Sequence, residues 1–528
     1  MKYDFLIKNG IIFDGEKSGF VRDDLGIKNE KIKDLGKLEE SAGRIIDANN
    51  MYVCPGFIDL TNHSDTFWTL FSDPYQESLV SQGVTTILGG NCGSSLAPIV
   101  SPQNIETVQK WTDISKINVD WQSPDEFLDR LERHHLAINF ATLIGHGVLR
   151  RNVIGNETRN ASEEELRKME FLLEKSLEEG AFGLSFNLGA AHEKAASSKE
   201  IIELSKIVQS KNGLIKHHLE DEGKNILPSI AHLIGYIRES KAKTQISHFK
   251  AIGRSAWEKF DEAIALIERA REENLSLTID VFPYTKTGSN LYQFLPEYML
   301  KNGKSEILKT LSRPEERESV SKYLQGLTLH YDKITVAATL WDTNTIGKTI
   351  AELAESAGFS PEEVILNLLE LNGLHVSIFN EAIKEEHIGE LLKKSWAMIG
   401  SDGAGYDSVN FKSLTLDRLP HPRSFGAFPR VFSDFVINKQ ILSWQEAIYK
   451  ATSLPAKTLG IVQRGEIKEG FYADIVIFNP EKIEDKATYE NPFQFSSGVE
   501  WVFINGEPVI EEGKITKKKT GMILRRKN

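Results

Sequence analysis

Cysteine is nearly absent: the chain of 528 residues carries two, Cys54 and Cys92. Two cysteines cannot build a disulfide framework, and a chain this long can bury enough core to do without one. Their scarcity points to a reducing compartment. Long apolar runs are missing too. None approaches the ~18 residues needed to span a bilayer. The opening MKYDFLIKNG places Lys2, Asp4 and Lys8 where a signal peptide needs an apolar stretch. A cytoplasmic chain with no membrane partner is expected. Positive charge is in deficit: Lys+Arg 63 against Asp+Glu 75 gives a net −12. That balance argues against nucleic acid, whose phosphates call for a basic surface. The one basic run, Lys517–Lys519 with Arg525–Lys527, reads as a solvated tail. With 40% hydrophobic and 26% charged residues the composition is otherwise that of a globular chain.

The first ~55 residues read as short strands and turns. Tyr3–Ile7 and Ile11–Phe13 flank Asn9-Gly10, a hairpin signal. Asp24–Ile27 with Lys31–Leu35, and Arg44–Ile46 with Met51–Cys54, read as two further pairs. After Pro55-Gly56 the texture changes. Apolar runs at Gly56–Leu60, Val84–Gly89, Ile138–Ile144, Phe182–Ser185, Leu214–His217, Thr244–Ser247, Leu275–Phe282 and Ala397–Gly400 alternate with helical stretches. One helix is bracketed by a Ser162/Glu165 capping box and Gly180, and Ser197 with Glu200 opens another in the same way. Strands alternating with helices mean βαβ units on a parallel sheet. Eight of them predict an α/β fold of the (β/α)8 barrel type. A ninth run, Ile334–Ala338, and the long gap from Tyr284 to Trp396 assign roughly 291–345 to an inserted cap-like element after strand seven. Beyond Gly465 the chain turns strand-like again, so residues 1–55 and 465–528 are expected to share one small β-sandwich domain, with the barrel, 56–464, inserted between them.

In a parallel barrel the chemistry sits at the C-terminal ends of the strands. There this chain places His63 and Asp65 after strand one and Cys92 after strand two. His146 follows strand three, His218 strand five, His248 strand six and Asp402 strand eight. Imidazole, thiolate and carboxylate are the ligands zinc takes. Placement alone leaves two readings open, a metal site or loop histidines satisfied locally. Cys92 lies in a polar, glycine-rich turn, Gly89-Gly90-Asn91-Cys92-Gly93, where backbone can come close to a ligand. Cys54, inside an apolar run, reads as core.

Pro55-Gly56-Phe57-Ile58-Asp59, a following histidine, and Gly83-Val84-Thr85-Thr86 resemble the amidohydrolase superfamily. Within it the chain is similar to the D-aminoacylase (N-acyl-D-amino-acid deacylase) family along nearly its whole length. The most specific motifs are Gly90-Asn91-Cys92-Gly93 and His421-Pro422-Arg423. His218-Leu219-Glu220-Asp221-Glu222, Ser247-His248-Phe249-Lys250 and Ser401-Asp402-Gly403 accompany them. The resemblance implies a metal-dependent amidohydrolase of C–N bonds other than peptide bonds, acting on N-acyl-D-amino acids. It implies a zinc held by Cys92, His218 and His248, with the thiolate standing where other members use a modified lysine. It implies His63 as part of a second metal position, Asp402 as general base, and Lys250, Tyr284, Ser289 and Arg423 as the grip on the substrate's carboxylate.

The chain also departs from the family. Thr61-Asn62-His63 ends strand one where the family has His-x-His. A hydroxyl is a poor zinc ligand beside imidazole, so one tight zinc and a weak or absent second metal are expected. Glu220 stands where the family has arginine, and the segment from Ser289 to Asp402 is longer. The competing readings are an amidohydrolase of cyclic amides or dipeptides and a non-catalytic barrel that binds a small molecule. The sequence assigns no oligomeric state.

Overall fold

The computed structural model describes residues 2–526, apart from 18, 40, 101–116, 302 and 328; Lys527 of the expected tail lies outside the described residues. Every one of the eight apolar runs is a strand: Phe57–Asp59, Val84–Gly89, Asn139–Thr142 continued by Ile144–Gly145, Gly183–Asn187, Leu214–His218, Lys243–Ile246, Leu277–Val281 and Ala397–Ile399. We call these the first to eighth parallel strands. Almost all their residues are buried, as expected of a parallel sheet covered on both faces. As hydrogen-bonded ladders they form two arcs, one of three strands and one of six, and not a single closed barrel. The arcs meet at the third strand, broken at Leu143, whose N–H donates to Gly89 O at 3.0 Å. On the other side, Asp402 N–H donates to Thr61 O at 2.9 Å and His63 N–H to Gly403 O at 2.8 Å. These bonds tie the end of the first strand to the end of the eighth.

The helix Glu163–Glu178 has both halves of its capping box, and Gly180, at φ 108°, ends that turn. The helix Ser198–Ser210 has only half of one. Ser197 accepts from Glu200 N–H, but the Glu200 carboxylate turns inward to His146 and Arg150 instead of back to the cap.

Strands from both chain ends make one nine-stranded sheet. Its ladder branches at Tyr3–Phe13: eight strands follow one path, and Ala42–Asp47 pairs off it with that strand. Two of the expected hairpins are absent. Tyr3–Phe13 is one continuous strand with a bulge between Ile7 and Gly10, because Asn9 takes a left-handed backbone (φ 61°) and gives its N–H to Asp24 at 2.9 Å. Ala42–Asp47 and Tyr52–Pro55 both pair in parallel with that strand and not with each other. Asn505-Gly506, both at positive φ, does turn a hairpin between Val499–Ile504 and Glu507–Glu511.

The elements around the segment expected at 291–345 reach beyond it on both sides. Lys286–Asn290, Ile334–Thr339 and Val376–Glu381 form a three-stranded antiparallel sheet, with Val376–Glu381 in the centre. A separate apolar cluster from Leu291 to Ile378 packs under it. The basic C-terminus is not a free tail. Arg525 pairs with Asp125, Asp129 and Glu132, and Lys517 pairs with the buried Glu77. Among the described residues no helix is long and apolar enough to cross a membrane.

Candidate active site

The turn after the second strand carries Cys92 because glycine flanks it. Gly90 (φ +73°) and Gly93 (φ +72°) take left-handed backbone, and a Cβ on them would stand 2.1 Å from Leu143 O and 1.9 Å from Glu193 Oε1. Asp65 pins the turn by accepting Gly90 N–H at 2.6 Å. Cys92 (φ 52°), His248 (φ 40°) and Asp402 (φ 52°) themselves have positive φ. Non-glycine residues held in that region carry strain that the surrounding fold must maintain, and such residues gather at functional sites. The end of the eighth strand is fixed by buried Asp59, which accepts Ser401 N–H at 3.0 Å and Asn62 Nδ2 at 3.0 Å.

Cys92, His218 and His248 converge, with one ligand atom from each lying within 4.8 Å of the others. Cys92 Sγ is 3.3 Å from His248 Nε2, and the two imidazole rings stand 4.5 Å apart at 75°. His218 Nδ1 is buried without a hydrogen-bond partner among the described residues. Burial opposes a thiolate at Cys92, but the charge on His248 and hydrogen bonds from His218, His248 and His63 outweigh it, so the thiol titrates well below its usual range. A sulfur disposed to lose its proton, beside two imidazoles, is a donor set that fits zinc. On its far side His248 Nδ1 meets Glu222 Oε1 at 3.2 Å. A carboxylate there orients the ring and leaves Nε2 facing the sulfur.

Asp402 stands beside this trio. Its Oδ1 is 3.0 Å from His63 Nε2 and its Oδ2 accepts Arg423 Nη1 at 2.6 Å. Burial would raise its pKa, yet Arg423, His248 and His63 hold it well below the usual carboxylate range. His63 therefore faces Asp402 and lies outside the trio of ligand atoms.

The cations expected to grip a carboxylate share the Phe282 ring. Arg423 lies 4.9 Å and Lys250 5.8 Å from its centroid. Arg423 Nε is buried without a partner among the described residues, and Lys250 Nζ donates to Glu222 at 2.7 Å and to His248 O at 3.1 Å. Tyr284 is placed differently. Its hydroxyl is 3.4 Å from Pro422 O and from Asp485, and Arg430 covers its ring at 4.7 Å. Burial and Asp485 keep its phenol neutral. Ser289 sits opposite Ile378 in the inserted sheet, next to Gly288, whose Cβ position is 3.5 Å from Arg423 Nη2. Glu220 pairs with Lys194 at 3.6 Å and His232 at 3.5 Å.

Several residues at the site escaped the sequence reading. Glu222 is one. Lys216 and Asp280 are others, and they form a buried network with Thr61: Thr61 Oγ1 donates to Asp280 Oδ2 at 2.6 Å, and Lys216 Nζ donates to Leu60 O and Thr61 Oγ1. The signal was present as Lys216 and Asp280 inside apolar strands, where a charge needs a reason. A second cluster has His146 at its centre. Its Nδ1 meets Glu193 at 2.9 Å and its Nε2 meets Glu200 at 2.8 Å, with Arg150 on Glu200 at 2.6 Å.

A thiol and two imidazoles beside an ionised carboxylate, with cations at one edge, suit metal-assisted attack of water on a substrate that bears an anion. Comparison with known proteins gives the class. The amidohydrolase family matches residues 44–209 and 331–510, and the chain belongs to that family, hydrolases of C–N bonds other than peptide bonds. Within it, the chain is 28% identical to a D-aminoacylase of Alcaligenes xylosoxydans xylosoxydans, over 99% of this chain and 98% of that one. An N-acyl-D-glutamate deacylase from Bordetella bronchiseptica, solved with zinc and a phosphonate mimic of the tetrahedral intermediate, superposes with TM-score 0.83 at 26% identity, covering 100% of both chains. A D-aminoacylase with a binuclear metal centre, described by one-metal activation and second-metal attenuation, superposes at TM-score 0.83 and 27% identity over 99% of this chain and 100% of that one.

Proposed function

We propose that this protein hydrolyses N-acyl-D-amino acids to a free amino acid and a carboxylic acid. One observation carries the reading: a Cys–His–His donor set beside a buried carboxylate that is itself paired with an arginine. Cys92, His218 and His248 would hold one zinc, which supplies Lewis acidity and a lowered pKa for water when bound. Asp402, ionised at neutral pH, accepts the proton of the attacking water and returns it to the leaving amine. His63, hydrogen-bonded to Asp402, orients that carboxylate. Arg423 offers a planar pair of donors to the substrate's carboxylate, and Lys250 adds a point charge. Tyr284 and Ser289 border this edge. Anchoring the carboxylate fixes which face of the amide meets the base, and such positioning lowers the barrier by several kcal/mol.

The strand order and the bonds between Thr61–His63 and Asp402–Gly403 support reading the two arcs as one (β/α)8 barrel over 56–464, with 1–55 and 465–528 as the composite β domain. The test is a chirally resolved screen of N-acetyl amino acids and their carboxamides with added zinc. Release of D-amino acids, with the carboxamides turned over far more slowly, is the expected result. Equal turnover of acid and amide, or of cyclic amides alone, overturns the reading.

A further inference from the structure

Behind the Cys–His–His trio lies a cation that the proposed chemistry does not use. Lys216 and His218 are two apart on the fifth strand, so their side chains leave the same face. The Lys216 side chain is 0% exposed. An ammonium has three donors, and Lys216 Nζ has three acceptors: Leu60 O, Thr61 Oγ1 and Asp280 Oδ2, the last at 3.5 Å. Thr61 is the residue at the end of the first strand, where the resemblance placed a histidine for a second metal. Its hydroxyl is spent, accepting from Lys216 and donating to Asp280 at 2.6 Å. Asp280 is spent as well. Its Oδ2 also accepts from Gln245 Nε2, and its Oδ1 accepts His248 N–H at 2.7 Å.

We propose that the Lys216 ammonium, locked between Leu60, Thr61 and Asp280, takes the place of a second metal cation and keeps this centre mononuclear. The inference rests on the zinc reading above. A positive charge held at this place disfavours a second divalent ion, and Thr61 and Asp280, which could have helped to bind one, are already hydrogen-bonded. Restoring a histidine at position 61 is then insufficient by itself, because the ammonium remains.

Metal stoichiometry tests this without turnover. Metal-free protein is equilibrated with excess Zn2+ or Co2+, freed of unbound ion, and assayed for bound metal, with the sulfur-to-cobalt absorption counting thiolate-bound ions. Wild type and Thr61→His are each expected to hold one ion per chain, and the double variant Thr61→His/Lys216→Met two. Two ions in wild type or in Thr61→His overturns the proposal, as does a single ion in a double variant whose circular dichroism matches wild type. The first two measurements keep it falsifiable if the double variant does not fold. A one-metal protein that hydrolyses no N-acyl amino acid defeats the proposed function and leaves this inference standing; an active two-metal wild type does the reverse.

Discussion

His146 and His248 are both buried imidazoles at the ends of parallel strands, and their surroundings differ. His146 has a carboxylate on each ring nitrogen, and Arg150 completes the charge balance on Glu200. His248 has Glu222 and Lys250 on one nitrogen and a sulfur on the other, with a second imidazole across from it. Charges that already meet their opposites hold elements together, here the helix Ser198–Ser210, through Glu200, against the helix His146–Ile154. A sulfur and two imidazoles turned toward one another, with His218 Nδ1 and Arg423 Nε buried without a partner among the described residues, are arranged for something that binds between them.

Substitutions at three residues would break or sharpen that contrast. Asp402→Asn should cost the most in rate: about 10²–10⁴-fold in kcat, the usual weight of a general base, while the bound metal measured by mass spectrometry stays constant. Loss of metal together with rate would make Asp402 a ligand instead. His146→Ala should act on stability. Removing one partner from a buried ionic cluster leaves Glu193 without its imidazole and Glu200 with Arg150 alone, at about 3–5 kcal/mol, read by chemical denaturation, with metal content unchanged. The same cluster predicts a pH trend. Burial disfavours the His146 cation, but Glu193 and Glu200 outweigh it and raise its pKa. A raised folded pKa contributes stability in full below the unfolded value of ~6.5 and loses it as pH climbs through the folded value. The stability gap between wild type and His146→Gln should thus be widest in weak acid and narrow in alkali; a gap that does not change with pH contradicts the charged pairing. Glu222→Gln should have the smallest effect, weakening metal affinity about 10–100-fold by loosening the orientation of His248, measured by competition with a chelator.

Much of the fold was legible in the chain. All eight parallel strands could be read because a strand buried on both faces is a short continuous apolar run. Asn9-Gly10, read as a hairpin signal, does not turn one, whereas Asn505-Gly506 does. The same dipeptide bulges a single long strand when Asp24 accepts the Asn9 N–H and the neighbouring strand continues the ladder. Glu200 sits at the correct spacing for a capping box and is diverted by His146, which lies outside any local window. Lys216 and Asp280 were visible as charges in apolar strands, but their joint lock on Thr61 depends on three strands meeting.

Local sequence therefore determined which side chains stand at the strand ends, because apolar runs, caps and turns act over a few residues. It supplied two cysteines, 13 histidines and 75 acidic residues from which a centre could be chosen. Tertiary structure decided that His218 and His248 meet Cys92, that His63 turns to Asp402, and that Tyr284 gives its hydroxyl to Asp485. Those outcomes rest on separations of a few ångströms between residues far apart in the chain, which only the packing of the strands against one another can set.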